Sequence, residues 1–405
     1  MSESFPDLVP LANRISQLAA SYDATSPNSP EALHQLRLAV RELEARCTPA
    51  VDIEYDFHYR PHANACVRIA VELRLFDQLG ESEAATPATL AAWVAASTGA
   101  EPEFTLRIIR GLCASGVLAE VEEEQAVLVS HTALSRLWHR RPTKQAYVRH
   151  QWDNMVRGLS VIIPYQHTHG FKSPDDPTNT PLAYALGAKD VGFFELLERD
   201  ADRFTAFNQA MSGMTVPVAP IFPFGSLAAV TGAHVCLVDV AGGRGHNTKE
   251  ILAAFPELKD VDVVLQDLAH VLQNEQGLEV DPGRIKVQAY NFLQEEQPVR
   301  GAAAYLFKYI FHDWPDKACR RILQNLVPAM RGFDSRLLIC DLVLGRVATS
   351  KPHKALRDIN IVSMAGRERS VDEWKALLET EGFRIIHIWG VDNPGNSIIE
   401  ARLEC

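Results

Sequence analysis

The sequence predicts an α/β domain in the C-terminal half of the chain, a mostly parallel sheet covered by helices, behind a mainly helical N-terminal part. Three observations carry this. From about residue 229, strand-like apolar runs alternate with helical ones. One of these runs, HVCLVDV, passes straight into a glycine-rich turn and a helix. Upstream of residue 150, short helical patterns precede the alternating stretch LAEVEEEQAVLVS, as in a winged helix-turn-helix unit.

Composition bounds the reading further. At ~150 residues per domain, 405 residues suggest two or three domains. The net charge of −11 argues against a nucleic-acid partner, because such surfaces are basic. No stretch of eighteen apolar residues occurs, so no membrane span is expected. The start, MSESFPDLVP, lacks a basic segment followed by an apolar one, so no secretory signal is expected. The seven cysteines are odd in number and form no CxxC pair. They read as reduced thiols of a cytoplasmic protein, and no metal site is expected.

Residues 1–54 form a helical extension. Ser29-Pro30-Glu31 supplies a cap, a proline at the first helical position and an acid in the first turn. Leu33, Leu36, Val40 and Leu43 follow as a stripe that needs a partner, either its own domain or a second subunit. Residues 55–150 read as the winged-helix domain. Val67, Ile69, Ala70, Leu73 and Phe76 make one apolar face, and Thr86-Pro87-Ala88 and Glu101-Pro102 each open a helix. The EVEEE segment is a poor match for phosphate, so this domain is expected to dimerise rather than to bind DNA.

Residues 151–228 are helix and loop. Trp152, Phe193, Phe194, Phe204, Phe207, Met211 and Met214 gather there. Most are expected to be simple core; some are expected to line an apolar pocket. In 229–405 the series runs HVCLVDV, NTKEILAAF, VDVVLQDL, RIKVQAY, AAAYLFKYIF, KACRRILQNLVPAM and RLLICDLVLG. SVDEWKALLETEGF is then a capped helix, and FRIIHIWGV and SIIEARLE are strands close enough to pair antiparallel.

The turn after HVCLVDV reads Asp239-Val-Ala-Gly242-Gly243-Arg-Gly245. In an open α/β sheet ligands bind beyond such strand ends, where glycine lets the backbone approach them. Asp267, ending the next strand, is placed to accept hydrogen bonds from a ribose diol. A dinucleotide would need a third glycine where Thr248 stands. An acid followed by alternating small residues suits S-adenosylmethionine, which has no pyrophosphate. His312, at the carboxyl end of the fourth strand of the series, falls on the ligand side. A nearby carboxylate would fix its tautomer; Glu368 and Glu400 are the candidates, each read singly as a surface acid.

AAYLFKYIFHDWPD, LVDVAGGRGH, VLQDL and MAGRERSVDEWKALLETEGF resemble the plant and fungal small-molecule O-methyltransferases of the caffeic acid and chalcone type. The resemblance covers the chain from about residue 55. It implies a winged-helix dimerisation domain and a Rossmann-like class I methyltransferase domain, with a seven-stranded sheet whose last strand is antiparallel. It further implies that Asp239, Gly242, Gly243, Gly245, Asp267, Asn291, Phe292 and Lys308 hold S-adenosylmethionine. His312 is then the base, bracketed by Glu368 and Glu400. Trp152, Phe194, Phe207, Met211, Asp313 and Met364 then face a phenol or enol substrate of natural-product type. Because the family builds its pocket with help from a second subunit, a homodimer is expected. Ala241, Asn291 and Ser370 depart from the family pattern, which has glycine, aspartate and threonine there. Three other readings stand beside this one: a methyltransferase fold whose sulfonium is not a donor and which runs cyclisation or pericyclic chemistry, an NAD-dependent oxidoreductase, and a metabolite-sensing winged-helix regulator.

Overall fold

The computed structural model describes residues 8–26, 28–80, 83–123, 126–213, 216–230, 233–258, 262–272, 285–347, 352–391 and 395–404. Met214 and part of the acidic hairpin turn lie outside the described residues. The chain divides into two compact units, 1–139 and 140–405. Helix Pro142–His150 runs directly into the π-helical turn Gln151–Val156.

In the first unit, helices Val9–Ala20, Ser29–Cys47 and Ala50–Glu72 lead into Leu75–Gln78, Pro87–Thr98 and Pro102–Ala114. The second begins at Ser29, with Asn28 rather than Ser29 in the cap position. Leu33 and Val40 of the expected stripe are exposed. Thr86 caps helix Pro87–Thr98 by accepting from the Thr89 amide, and Gly99, at φ 76°, ends it. Strands β1 (Ala84–Ala85), β2 (Leu118–Glu123) and β3 (Ala126–His131) form a sheet of order β1-β3-β2. The expected hairpin thus gains a third, short strand. Leu75, Phe76, Leu90, Val94, Ile109, Leu112 and Val129 fill the core beneath it.

The second unit is built on a seven-stranded sheet. Its strands are β4 (Leu237–Val240), β5 (Val263–Asp267), β6 (Lys286–Ala289), β7 (Ala304–Lys308), β8 (Arg336–Asp341), β11 (Phe383–Trp389) and β12 (Ser397–Leu403). Two short strands, β9 (Val343–Leu344) and β10 (Arg369–Ser370), pair separately and in parallel. The main order is β11-β12-β8-β7-β4-β5-β6. Only β12 is antiparallel, pairing with β8 on one side and β11 on the other. This is the class I methyltransferase arrangement that the sequence resemblance implied.

The strands β4 and β7 are buried along their whole length, which explains their unbroken apolar runs. Alternate residues serve opposite faces. Val238, Val240, Tyr305, Phe307, Leu337 and Ile339 pack against helices Asp316–Met330 and Val371–Glu379. Leu237, Leu265, Leu306, Leu338 and Cys340 pack against Phe222, Phe224, Leu227 and Ile251. Ser370 opens helix Val371–Glu379 in a reciprocal capping box with Glu373. Among the described residues no helix is long and apolar enough to cross a membrane.

Candidate active site

The carboxyl ends of β4, β5, β7 and β8 meet on one rim of the sheet. After β4 the chain turns through Ala241 (φ 55°), Gly243 (φ 61°) and Gly245 (φ 84°). Such angles favour glycine, and Ala241 adopts one as an alanine. Gly242 is required for a different reason: a Cβ there would lie 2.6 Å from Asp239 Cγ and 2.5 Å from Leu265 Cδ1. The space beyond Gly243 is open. Its amide donates to Asp267 Oδ2 at 2.8 Å, while Asp267 Oδ1 accepts from the Leu268 amide at 2.7 Å.

Asp239 is fully buried. Its Oδ2 accepts from the Thr248 hydroxyl at 2.7 Å, and its Oδ1 has no partner among the described residues. Burial pushes its carboxyl up to about 6, against the Thr248 hydroxyl and Lys308, which favour the ion. Thr248 is therefore a buried support for Asp239. It is not a surface on which a pyrophosphate could lie. Lys308 Nζ donates to Asn247 Oδ1 at 2.6 Å and to Val216 O at 2.9 Å. The open glycine turn and the half-satisfied acid at its root fit a ligand with a cationic amino-acid end.

Asn291 and Phe292 follow β6. Asn291 Oδ1 accepts from the Leu293 amide at 3.1 Å in a local turn. The Phe292 ring meets Trp314 edge-on at 6.2 Å. Trp314 continues to Phe194 at 6.1 Å, and Phe194 to Phe207 at 6.1 Å. Three of the expected residues are thereby joined in one line of rings, with Trp314 as the link that the sequence analysis missed. Met364 packs with Met155 and Phe193, with Phe207 against the same cluster. Trp152 lies in the adjoining π-helical turn. Met211 is 36% exposed, one turn beyond Phe207 on helix Ala201–Ser212.

His312 sits in the short helix Phe311–Asp313 directly after β7. The GRERS segment is brought to it by β9 and β10: Arg369 pairs with Val343, just beyond the end of β8. Arg367 N donates to His312 O at 2.7 Å. The approach is so close that a Cβ on Gly366 would lie 2.6 Å from that oxygen. Arg369, buried, clamps the turn by donating to Phe311 O, Trp314 O and Asp316 Oδ1. Two of the four sequence blocks that carry the family resemblance, those with HDWPD and GRERS, therefore form one hydrogen-bonded structure.

Within it, His312 Nδ1 lies 3.1 Å from Glu368 Oε1 and Nε2 lies 3.3 Å from Asp313 Oδ1. Asp341, at the end of β8, is fully buried with both oxygens unpartnered among the described residues. Burial alone would favour the neutral ring of His312, but Asp313, Glu368 and Asp341 outweigh it and push its pKa up to about 9. Burial pushes Asp341 up to about 7 and Asp313 up to about 6. Burial also opposes ionisation of Glu368, yet His312 and Arg357 win and hold it below the usual range.

Glu400 does not join this group. β12 is antiparallel, so its first residue, Ser397, lies opposite Asp341 at the rim, whereas Glu400 lies opposite Leu338, three residues deeper. There it accepts from Trp389 Nε1 at 3.0 Å and faces Arg336 at 3.5 Å. The acid at the rim end of β8 is instead Asp341, whose charge acts on His312. Its signal was present in ICDLVL, an acid that ends an apolar strand as Asp267 does.

This fold, with this rim, defines a class I methyltransferase. The O-methyltransferase domain family matches residues 165–384, and the O-methyltransferase dimerisation domain family matches 59–141. The chain belongs to the O-methyltransferase family. It is 33% identical to O-methyltransferase asqN of Emericella nidulans over 285 residues, 68% of this chain and 94% of that protein. Among solved structures, OxaC in complex with SAH and oxaline matches with a TM-score of 0.84 at 25% identity, over 98% of this chain and 99% of that one. A structure titled a pericyclic reaction enzyme matches with a TM-score of 0.80 at 23% identity, over 98% of this chain and 99% of that one, a likeness of fold alone.

Proposed function

We infer that the protein is an S-adenosylmethionine-dependent O-methyltransferase acting on a hydroxyl of an aromatic or polyketide-like natural product, with His312 as general base. The observation that carries this is the fixed imidazole of His312, held at Nδ1 by buried Glu368 on the same rim as the glycine turn. The family match, and the binding of SAH and oxaline by OxaC, support the cofactor and the substrate class.

When bound, the cofactor supplies an electrophilic methyl group on sulfur. The chain supplies the rest. Asp239, Gly242, Gly243, Gly245, Asp267, Asn291, Phe292 and Lys308 border the space it would take. Trp152, Phe194, Phe207, Met211 and Met364 would offer the apolar wall, and Asp313 stands against the base at Nε2. A phenol or enol, with a pKa near 10, is protonated at neutral pH. His312 Nε2, once freed from Asp313, takes that proton as the oxygen attacks. Glu368 holds the ring in position, and Asp341 stabilises the imidazolium that results. General-base work of this kind is worth roughly 10²–10⁴-fold. The dimerisation-domain match supports a homodimer, and the free cysteines fit a reducing cytoplasm.

The test pairs calorimetric binding of S-adenosylmethionine and SAH with a screen of phenols and enols for SAH formation. Binding with SAH production supports the reading. Binding with product formed but no SAH would replace it with the non-donating alternative.

A further inference from the structure

Glu368 serves two partners through one atom. Its Oε1 lies 3.1 Å from His312 Nδ1 and 3.3 Å from Arg357 Nε. Its Oε2 is buried with no partner among the described residues. Arg357 comes from helix Pro352–Ile361, outside every motif singled out in the sequence. Its guanidinium carbon lies 5.4 Å from the centroid of the Tyr309 ring, and that ring lies 5.4 Å from His312 at 32°. Tyr309 is itself fixed, with φ 56° and its hydroxyl donating to Asn396 Oδ1 at 2.7 Å. The arginine is thus seated over an aromatic face and aimed at the carboxylate that holds the base.

We propose that Arg357 is a positioning residue for methyl transfer: by binding the oxygen that holds His312, it limits how firmly Glu368 retains the imidazole proton. This rests on the reading of His312 as the base. Three carboxylates face the ring: Asp313 from its own turn, Asp341 from β8 and Glu368 from the GRERS segment. Left alone they would keep the imidazole charged to still higher pH, and a charged imidazole accepts no proton. Two cations oppose them. Arg369 acts on Asp341 and Glu368 from a distance, its own donors committed to Phe311 O, Trp314 O and Asp316. Arg357 touches Glu368 directly. A guanidinium stays charged at every working pH, so its share of Glu368 is constant while His312 titrates.

The experiment compares Arg357→Gln and Arg357→Lys with the parent. The first readout is the titration of His312 by NMR of protein labelled in histidine, the signal being identified by its loss in His312→Gln. In Arg357→Gln the His312 pKa is expected to rise by about one unit, the low end for removal of a nearby charge. The acid limb of kcat/KM rises with it, giving about tenfold lower activity at neutral pH that recovers in alkali. Arg357→Lys brings both back toward the parent. Should the Gln variant not fold, Arg357→Met keeps the stem over Tyr309 and serves the same test. An unchanged His312 titration, or a loss of turnover equal at every pH, overturns the proposal. A shifted titration in a protein without methyl transfer would uphold the electrostatic role and sink the reading of His312 as base.

Discussion

His312 Nε2 lies 3.3 Å from Asp313 Oδ1, so the nitrogen that would receive a substrate proton is held by the adjacent carboxylate. A substrate hydroxyl must displace that carboxylate. Burial favours the exchange, because it disfavours the charged carboxylate where it lies, pushing the Asp313 carboxyl up to about 6. His312→Ala should therefore lose roughly 10²–10⁴-fold in turnover while binding SAH normally by calorimetry. Near-parent turnover in this variant would remove His312 from the mechanism.

The pH profile follows from the charge around the base. Burial works against protonation of His312, but Asp313, Glu368 and Asp341 hold its pKa at about 9, above the ~6.5 of a free imidazole. The reactive form is neutral. The kcat/KM is thus expected to rise about tenfold per pH unit through the neutral range and to level near pH 9. A plateau already reached at pH 6.5 would contradict this charge balance.

Asp341 and Glu400 should separate cleanly. Asp341→Asn is expected to lower turnover on the alkaline plateau, since the imidazolium loses a counter-charge, and to move the acid limb of kcat/KM to lower pH. It is also expected to raise the melting temperature at pH 8. The sign follows from burial, which raises the folded pKa of Asp341 to about 7 from the ~3.9 of a free aspartate. Between those values the folded state binds the extra proton, so stability falls as pH rises. His312 adds in the same direction: its stabilisation is complete below ~6.5 and is lost as pH rises through about 9. Glu400→Gln should leave turnover at the parent level while lowering stability, because Arg336 loses the buried carboxylate it faces. A catalytic defect in the Glu400 variant would restore it to the site.

Gly366 is expected to act on the base without touching substrate. A Cβ at this position meets backbone, His312 O at 2.6 Å, and the buried Ile361 side chain, with Cγ1 at 2.6 Å. Gly366→Ala should cost about 10²-fold in kcat through misplacement of the imidazole, with SAH binding little changed. Equal loss of SAH binding and turnover would point to general unfolding instead.

The glycine turn offers a paired prediction. Ala241→Gly relieves a left-handed alanine and should stabilise the protein by up to about 1 kcal/mol in a denaturant titration. Gly242→Ala should do the reverse and weaken SAH binding, because its Cβ collides with Asp239 and Leu265.

Much of this was legible in the sequence, for identifiable reasons. Periodicity located β4, β5, β7 and β8 because buried parallel strands are apolar on both faces. Position after a strand located Asp239, Gly242, Gly243 and His312. Motif adjacency located Glu368, since GRERS travels as a block. Glu400 was misassigned because pairing order and direction decide which residue of a strand reaches the rim, and neither is written in the strand itself. Arg357 and Trp314 escaped notice because their importance arises from what folds against them. Arg357 has no motif, and Trp314 sits within HDWPD as though it were only core.

The insertion of β12 between β8 and β11 has a consequence for synthesis. These neighbours cannot close on one another; each waits for residues 397–403. Until that stretch emerges, β8 presents an open edge with Asp341 at its tip, and the helix and strand that precede β12 have no sheet to join. The nascent domain therefore holds its charge cluster unshielded until its last strand arrives as a wedge. Any chain interrupted before residue 397 would leave β8 as an edge strand, where in the finished sheet β12 covers it.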